Sequence, residues 1–225
     1  MAQSMISINE ELVNKTLQES YKILRTNLLY VDRLKVIAIT STIPNEGKTI
    51  TAFNLARGFA EAGKKVVLMD CDLRKTSLKY LLNISGNKRG VSEYLTGQSG
   101  NVVFETNIEN LYVILSGKKP PNPSEILSGE KFSELIEKLK DTFDYVIIDT
   151  PPVAAAADAS IVGRIADGTV MVVRNQISKK KIIKRAVLNL ERNGVRMVGL
   201  VLNGVKRTSS EYGYGYGYGY GYGKE

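Results

Sequence analysis

The sequence predicts an α/β fold, a mostly parallel sheet with helices on both faces, followed by a flexible Tyr/Gly-rich C-terminal tail. Six short apolar runs, rich in β-branched or aromatic residues, alternate with segments of helical period, the pattern of parallel strands buried on both faces. The first run leads through a Gly-Lys-Thr loop into a helix. After Arg207 the composition changes abruptly to a Tyr-Gly alternation.

Taken in order, Leu12, Leu17, Tyr21, Leu24 and Leu28 recur at helical spacing between Asn9 and Tyr30. Lys35 to Ser41 reads as a buried strand, Lys48 to Ala62 as a helix stopped by Gly63, and Lys65 to Asp70 as a second strand. Leu111 to Leu115, Tyr145 to Asp149, Thr169 to Val173 and Met197 to Leu202 supply four more strands. Ser128 to Lys140 and Ser178 to Asn193 read as helices between them. Ligands of such folds bind beyond the carboxyl ends of the strands, so Ser41, Asp70 and Asp149 are expected to converge there. From Glu211 to Glu225 six Tyr-Gly units follow one another, and glycine at every second position makes a fixed strand costly. The organisation expected is an N-terminal helix over 1–34, an α/β domain carrying the Gly-Lys-Thr loop over 35–205 and a mobile tail over 206–225.

Composition narrows the chemistry. With 225 residues, 43% of them hydrophobic, the chain can bury a sizeable core. No apolar run approaches the ~20 residues that cross a bilayer, and the N-terminus does not resemble a signal peptide. The lone Cys71 fits a reducing cytoplasm. Histidine is absent, which excludes His-based acid/base catalysis, Ser-His-Asp triads and His-ligated metals. The net charge of +8 suits anionic partners. Its densest run, Lys179 to Lys181 with Lys184 and Arg185, reads first as a solvated helix face.

The loop Ser41-Thr-Ile-Pro-Asn-Glu-Gly-Lys-Thr49 matches the second half of the phosphate-loop pattern, with Thr42 where the first glycine belongs. Backbone amides of Asn45, Glu46, Gly47, Lys48 and Thr49 can converge on phosphate oxygens at a helix N-terminus. Asn45 tolerates the left-handed conformation that a glycine would otherwise supply. Lys48 is expected to face solvent and reach the β- and γ-phosphates, and the Thr49 hydroxyl to ligate Mg²⁺. The second strand delivers Asp70 and Asp72, and the strand at Tyr145 delivers Asp149. Three acids around a phosphate loop suit phosphoryl transfer, which needs a metal, positioned cations and an oriented nucleophile.

Ser41 to Thr49, the run VVLMDCDLRK from Val66 to Lys75 and VIIDTPP from Val146 to Pro152 resemble the Walker A, A′ and B motifs of bacterial tyrosine kinases. The segment from Glu19 to Asn27 resembles that family's oligomerisation helix, Pro120 to Leu127 its loop before a mid-domain helix, and the tail its autophosphorylation cluster. The resemblance thus spans almost the whole chain, and is to the separate cytoplasmic subunit of capsular or exopolysaccharide systems. It implies the P-loop NTPase fold, ATP and Mg²⁺ as cofactors, and tyrosine kinase activity. It implies catalytic roles for Lys48, Asp70, Asp72 and Arg74, metal binding by Thr49, Asp70, Asp72 and Asp149, and an adenine contact at Asn203. It implies autophosphorylation at Tyr212, Tyr214, Tyr216, Tyr218, Tyr220 and Tyr222, and a ring of unphosphorylated copies held through Glu19, Lys22 and Arg25. Lys22 departs from the arginine of the family pattern and gives up bidentate pairing. The implied partners are a membrane-embedded activator that recruits the protein to the inner face of the membrane, and a tyrosine phosphatase; nucleic acid is not among them. One alternative is a switch ATPase of the partitioning or septum-positioning kind, whose phosphate loop carries a lysine where Ile43 stands here. Another is a nucleotide-dependent interaction subunit with an adhesive tail.

Overall fold

The computed structural model describes residues 5–8 and 15–205. Along the chain run α1 (Lys15–Leu29), β1 (Val36–Ser41), α2 (Lys48–Glu61), β2 (Val66–Asp70), α3 (Ser77–Leu81), α4 (Val91–Leu95), β3 (Val103–Glu105) and β4 (Leu111–Ile114). Then come α5 (Pro123–Leu127), α6 (Glu130–Thr142), β5 (Tyr145–Asp149), α7 (Asp158–Ile165), β6 (Gly168–Arg174), α8 (Lys180–Arg192) and β7 (Met197–Asn203). The sheet order is β3-β4-β2-β5-β1-β6-β7, parallel throughout except for β3, which runs antiparallel to β4 at the edge.

Burial on both sides explains why the strands read as continuous apolar runs. Ile37, Ile39, Leu68 and Ile147 pack with Phe53 and Phe59 of α2 on one face. Their alternate neighbours Val36, Ala38, Met69 and Ile148 meet Phe132, Leu135 and Ile136 of α6 on the other. Leu24 and Leu28 of α1 join the α2 face. Ala186 and Leu190 of α8 cover Met171 and Val173 of β6.

All six expected strands form, and a seventh is added. At three residues β3 is too short to show an alternation, and it exists because it pairs with β4. Beyond it, Ile6 bridges to Thr106, and Ile6 and Ile8 are buried; residues 5–8 fall within the 1–34 span expected as an N-terminal helix and are not helical. The helix expected from Ser128 begins instead at Glu130, because Gly129 is extended at ψ 156. The preceding turn is a separate helix, α5, opened by Pro123. The helix expected from Ser178 begins at Lys180, because the Ser178 hydroxyl accepts a 2.7 Å hydrogen bond from the Arg174 amide and closes a turn. Of the helix expected from Asn9, residues 9–14 lie outside the described residues, as do all six tyrosines from Tyr212 to Tyr222. Among the described residues no helix is long and apolar enough to cross a membrane.

Candidate active site

The order of the sheet places the site. β1 is flanked by β5 and β6, and β2 lies on the far side of β5. Asp70, ending β2, and Asp149, ending β5, are register partners. Their side chains share the parity of Leu68 and Ile147 and therefore point to the face covered by α2, whose first residue is Lys48. The first amides of any helix lack intrahelical acceptors, so the N-terminus of α2 presents donors where three strand ends meet.

The phosphate loop is fixed by its own glutamate. The Glu46 carboxylate, fully buried, accepts the amides of Thr42 at 2.6 Å and Ile43 at 3.0 Å and the Thr42 hydroxyl at 2.8 Å. It also accepts the Ser178 hydroxyl. Thr42 thus substitutes for the usual glycine by turning its side chain inward to Glu46. Only the backbone of Glu46 remains for a ligand. Asn45 adopts φ 67, and Gly47 adopts φ 95. A Cβ on Gly47 would lie 2.1 Å from Asn203 Nδ2, so that position admits glycine alone. Asn203 Nδ2 donates to the Glu46 carbonyl at 2.9 Å and Arg174 donates to the Asn45 carbonyl at 3.1 Å, tying the loop to the ends of β7 and β6.

Lys48 corrects an expectation. It does not face solvent but is 8% exposed. Its ammonium lies 3.2 Å from Asp72 and 3.4 Å from Asp149, because the strand-end acids lie under the start of α2. Burial alone would lower its pKa, but Asp149, Asp72 and Asp70 more than offset this and hold it above the ordinary value. The Thr49 hydroxyl donates to Asp149 at 2.6 Å. Burial raises Asp149 above the usual carboxylate range, with Lys48 and Thr49 opposing. Asp70 is pushed well above that range, by burial first and by the Asp149 charge second. Its Oδ1 accepts the Asp72 amide at 3.0 Å, and its buried Oδ2 has no partner among the described residues.

A cavity of about 730 Å³ opens above these groups, walled by Lys48, Thr49, Asp72, Arg74, Tyr80 and Asn203, within the range of ~300–1,000 Å³ for ligand pockets. Of the three acids Asp72 alone reaches this wall; Asp70 and Asp149 lie beneath it. Arg74 is held as a salt bridge, bidentate to buried Asp158 of α7 through Nε at 2.8 Å and Nη2 at 3.2 Å. Sequence reasoning missed Asp158, Ser178 and Arg174, which lie far along the chain from the motifs they brace. Glu19 and Lys22 pair with each other at 2.6 Å on the surface of α1, while Arg25 donates to the Gly58 carbonyl at 2.6 Å.

Among the described residues no cluster of three or more metal-ligating side chains forms a cage. Mg²⁺ ordinarily takes one or two carboxylates, waters and substrate phosphates rather than a protein cage. The hard oxygen donors Thr49, Asp72 and Asp149, with the unpartnered Asp70 Oδ2 behind them, fit that requirement.

Comparisons with known proteins agree with this geometry. A family profile described as an AAA domain matches residues 34–183. Tyrosine-protein kinase CpsD of Streptococcus agalactiae is 36% identical over 202 residues, covering 88% of this chain and 88% of that protein. Tyrosine-protein kinase YwqD of Bacillus subtilis is 40% identical over 201 residues, covering 87% and 84%. The kinase domain of Escherichia coli tyrosine kinase ETK superposes with a TM-score of 0.83 at 34% identity, covering 95% of this chain and 87% of that one. With these relatives along most of its length and a phosphate loop set over strand-end carboxylates, the chain belongs to the AAA-domain family and, within it, to the bacterial tyrosine kinases.

Proposed function

We infer that the protein transfers the γ-phosphoryl group of ATP to tyrosine hydroxyls, beginning with Tyr212, Tyr214, Tyr216, Tyr218, Tyr220 and Tyr222 of its own tail. The observation that carries this reading is the Lys48 ammonium set between Asp72 and Asp149 at the floor of a nucleotide-sized cavity. Phosphate oxygens entering the cavity meet the amides at the start of α2 and compete with Asp72 for the Lys48 charge. As Lys48 turns to the phosphates, the Asp72 carboxylate becomes available to accept the proton of a tyrosine hydroxyl as its oxygen attacks the γ-phosphorus and ADP leaves. Asp72 is assigned this role over Asp70 because it borders the cavity, whereas Asp70 is sealed beneath it. Bound Mg²⁺, held at Thr49 with Asp149 and Asp70 behind, would offset the charge of the β- and γ-phosphates.

The relatives, named tyrosine-protein kinases and including a putative tyrosine-protein kinase in a cps region of Klebsiella pneumoniae, support the setting. We assign this chain to the cytoplasmic side of a capsular or exopolysaccharide system, with a membrane-embedded activator and an opposing phosphatase as partners. Ile23 and Leu29, exposed on α1, and the Glu19–Lys22 pair, which exchanges partners cheaply at the surface, suit a ring of unphosphorylated copies. Incubation with γ-labelled ATP tests the central claim: label should appear on tail tyrosines in the wild type and not in Asp72→Asn. Label released to water, with none on tyrosine, would make the protein a switch ATPase instead.

A further inference from the structure

A second cavity, of about 410 Å³, lies on the other side of α3 from the nucleotide cavity. The two share a wall: Ser77 and Tyr80 face the nucleotide cavity, while Thr76 and Lys79 face the second. It opens beyond the end of β4, at the same carboxyl edge of the sheet where parallel α/β folds bind ligands. Four cations line it, Lys79, Lys88, Arg89 and Lys118, against the single carboxylate of Glu93. Glu93 offsets only one of the four. Its oxygens accept the amides of Lys118 at 3.0 Å and Gly90 at 2.7 Å, and these bonds hold its pKa below the usual range despite burial. Among the described residues Lys79, Arg89 and Lys118 take part in no ion pair. Ser116, also on the wall, is 2% exposed, and its hydroxyl has no hydrogen-bond partner among the described residues.

The construction of this wall is specific. Gly117, at φ 81, lets the chain pass over Glu93, since a Cβ there would lie 2.0 Å from Glu93 Oε2. A Cβ on Gly90 would likewise lie 2.0 Å from the Leu115 carbonyl oxygen. Two tight glycines and a buried carboxylate thus hold Ser116, Gly117 and Lys118 in place, with Arg89 next to Gly90. A forked guanidinium and several ammonium groups around a cavity of this size match a phosphate monoester, which carries about −1.5 to −2 charges at neutral pH and three acceptor oxygens.

We propose that this cavity binds a phosphotyrosine of the tail, so that a tyrosine already modified is held there while another occupies the active site. The proposal rests on the tyrosine-kinase reading. Asn203 and Gly204, near the end of the described chain, border the nucleotide cavity, and 20 residues follow Val205. That length spans at most ~70 Å, so the tail starts at one cavity and can reach the next, in its own subunit or a neighbour's. A new phosphate is repelled by Asp70, Asp72 and Asp149 and attracted by the four cations across α3. With six tyrosines two residues apart, holding one product keeps the remaining substrates near the site, and modification becomes processive.

The test uses dephosphorylated full-length protein loaded with Mg-ADP, and fluorescent peptides of residues 211–225 with or without phosphate on Tyr216. Anisotropy titration should show the phosphopeptide binding at least tenfold more tightly than its unmodified twin. Arg89→Ala with Lys118→Ala should weaken the phosphopeptide tenfold or more. Lys181→Ala with Arg185→Ala, which removes the same charge from α8, should leave binding within twofold. Inorganic phosphate should displace the phosphopeptide only far above the peptide's own Kd. Equal binding of the two peptides, an undiminished R89A/K118A protein, or an equal loss in the α8 variant overturns the proposal. Displacement by inorganic phosphate at the peptide's own Kd would make this a site for free phosphate and overturns it too. No phosphoryl transfer enters the assay, so failure here leaves the labelling result with γ-labelled ATP standing on its own.

Discussion

Lys48→Met should abolish tyrosine phosphorylation and also weaken the fold, which a solvent-facing lysine would not do. The substitution leaves Asp149, fully buried, and Asp72, 4% exposed, without their shared cation. Removing one partner of a buried ion pair costs ~3–5 kcal/mol. Two features reduce that here: Thr49 still donates to Asp149 at 2.6 Å and the Lys75 amide to Asp72 at 3.1 Å. The net loss expected at pH 7.5 is therefore about 2–3 kcal/mol, below the unsoftened range. At ~2–4 °C per kcal/mol for a chain of this size, the melting temperature should fall by about 4–12 °C. The pH dependence has a definite sign. Asp149 and Asp70 have folded-state pKa values raised above their unfolded ones, by burial first. Between those values the folded chain holds more protons than the unfolded chain, so stability falls as pH rises through the window. Lys48 charge lowers both groups, so its loss raises them further and widens the window. The K48M penalty should be largest near pH 7.5 and shrink as pH falls, most fully below the unfolded aspartate pKa of ~3.9, where both states are protonated. Urea denaturation at several pH values measures this, and Lys48→Met/Asp149→Asn completes a double-mutant cycle. Adding Asp149→Asn to K48M should recover most of the loss, a coupling of about 1–3 kcal/mol. A K48M protein as stable as wild type at pH 7.5, with additive effects in the cycle, refutes the account of a buried bridging lysine.

Asp70→Asn should cut phosphorylation yet raise stability at neutral pH, because it removes a carboxyl whose pKa burial and Asp149 push well up; the advantage should vanish at acid pH in thermal melts, and a variant less stable than wild type at pH 7.5 would contradict this. Glu46→Ala should raise KM for ATP about tenfold, equivalent to ~1.4 kcal/mol of lost binding, by freeing Thr42 and Ile43, and Glu46→Gln should recover most of it; unchanged KM in the alanine variant would show that the clamp is dispensable. Six phosphates on the tail would add about −9 to −12 charges to a chain of +8, so light scattering should show wild type losing mass on ATP treatment while a variant with all six tyrosines changed to Phe stays oligomeric; equal masses after treatment would remove the charge switch.

The sheet was legible because parallel strands buried on both faces must be apolar without interruption, and the site because β1, β2 and β5 end in Ser41, Asp70 and Asp149 at one edge of the sheet. What stayed hidden was set by distance in the chain. Nothing near Lys48 announces that Asp149, 101 residues on, will accept its ammonium. Arg74 shows a cation beside two acids, yet its partner is Asp158, 84 residues away. β3 is invisible at three residues, and the bridge from Ile6 to Thr106 depends on β3 being there. Glu46 was read for its backbone amide alone, and the brace that its side chain gives Thr42 and Ile43 had no signal in the sequence.

That brace links the phosphate loop to the carboxyl-terminal part of the molecule. Ser178, just before α8, donates to Glu46; Arg174, ending β6, holds the Asn45 carbonyl; and Asn203, ending β7, holds the Glu46 carbonyl. The basic start of α8 and the strand that leads into the tail are therefore the elements that set the shape of the nucleotide loop. Each of these contacts is a single hydrogen bond, worth ~0.5–1.5 kcal/mol for the neutral Asn203 bond and ~1.5–3 kcal/mol for the two that involve a charged group. A partner that shifts α8, or a tail drawn across towards the cations beyond α3, needs to displace only one or two of them to change how the loop meets phosphate. The lysine-rich face of α8 is exposed, while Ala186 and Leu190 anchor the helix against Met171 and Val173 of β6. Breaking the hydrogen bonds concentrated on Asn45 and Glu46 would free the loop without touching the strand pairing of the sheet.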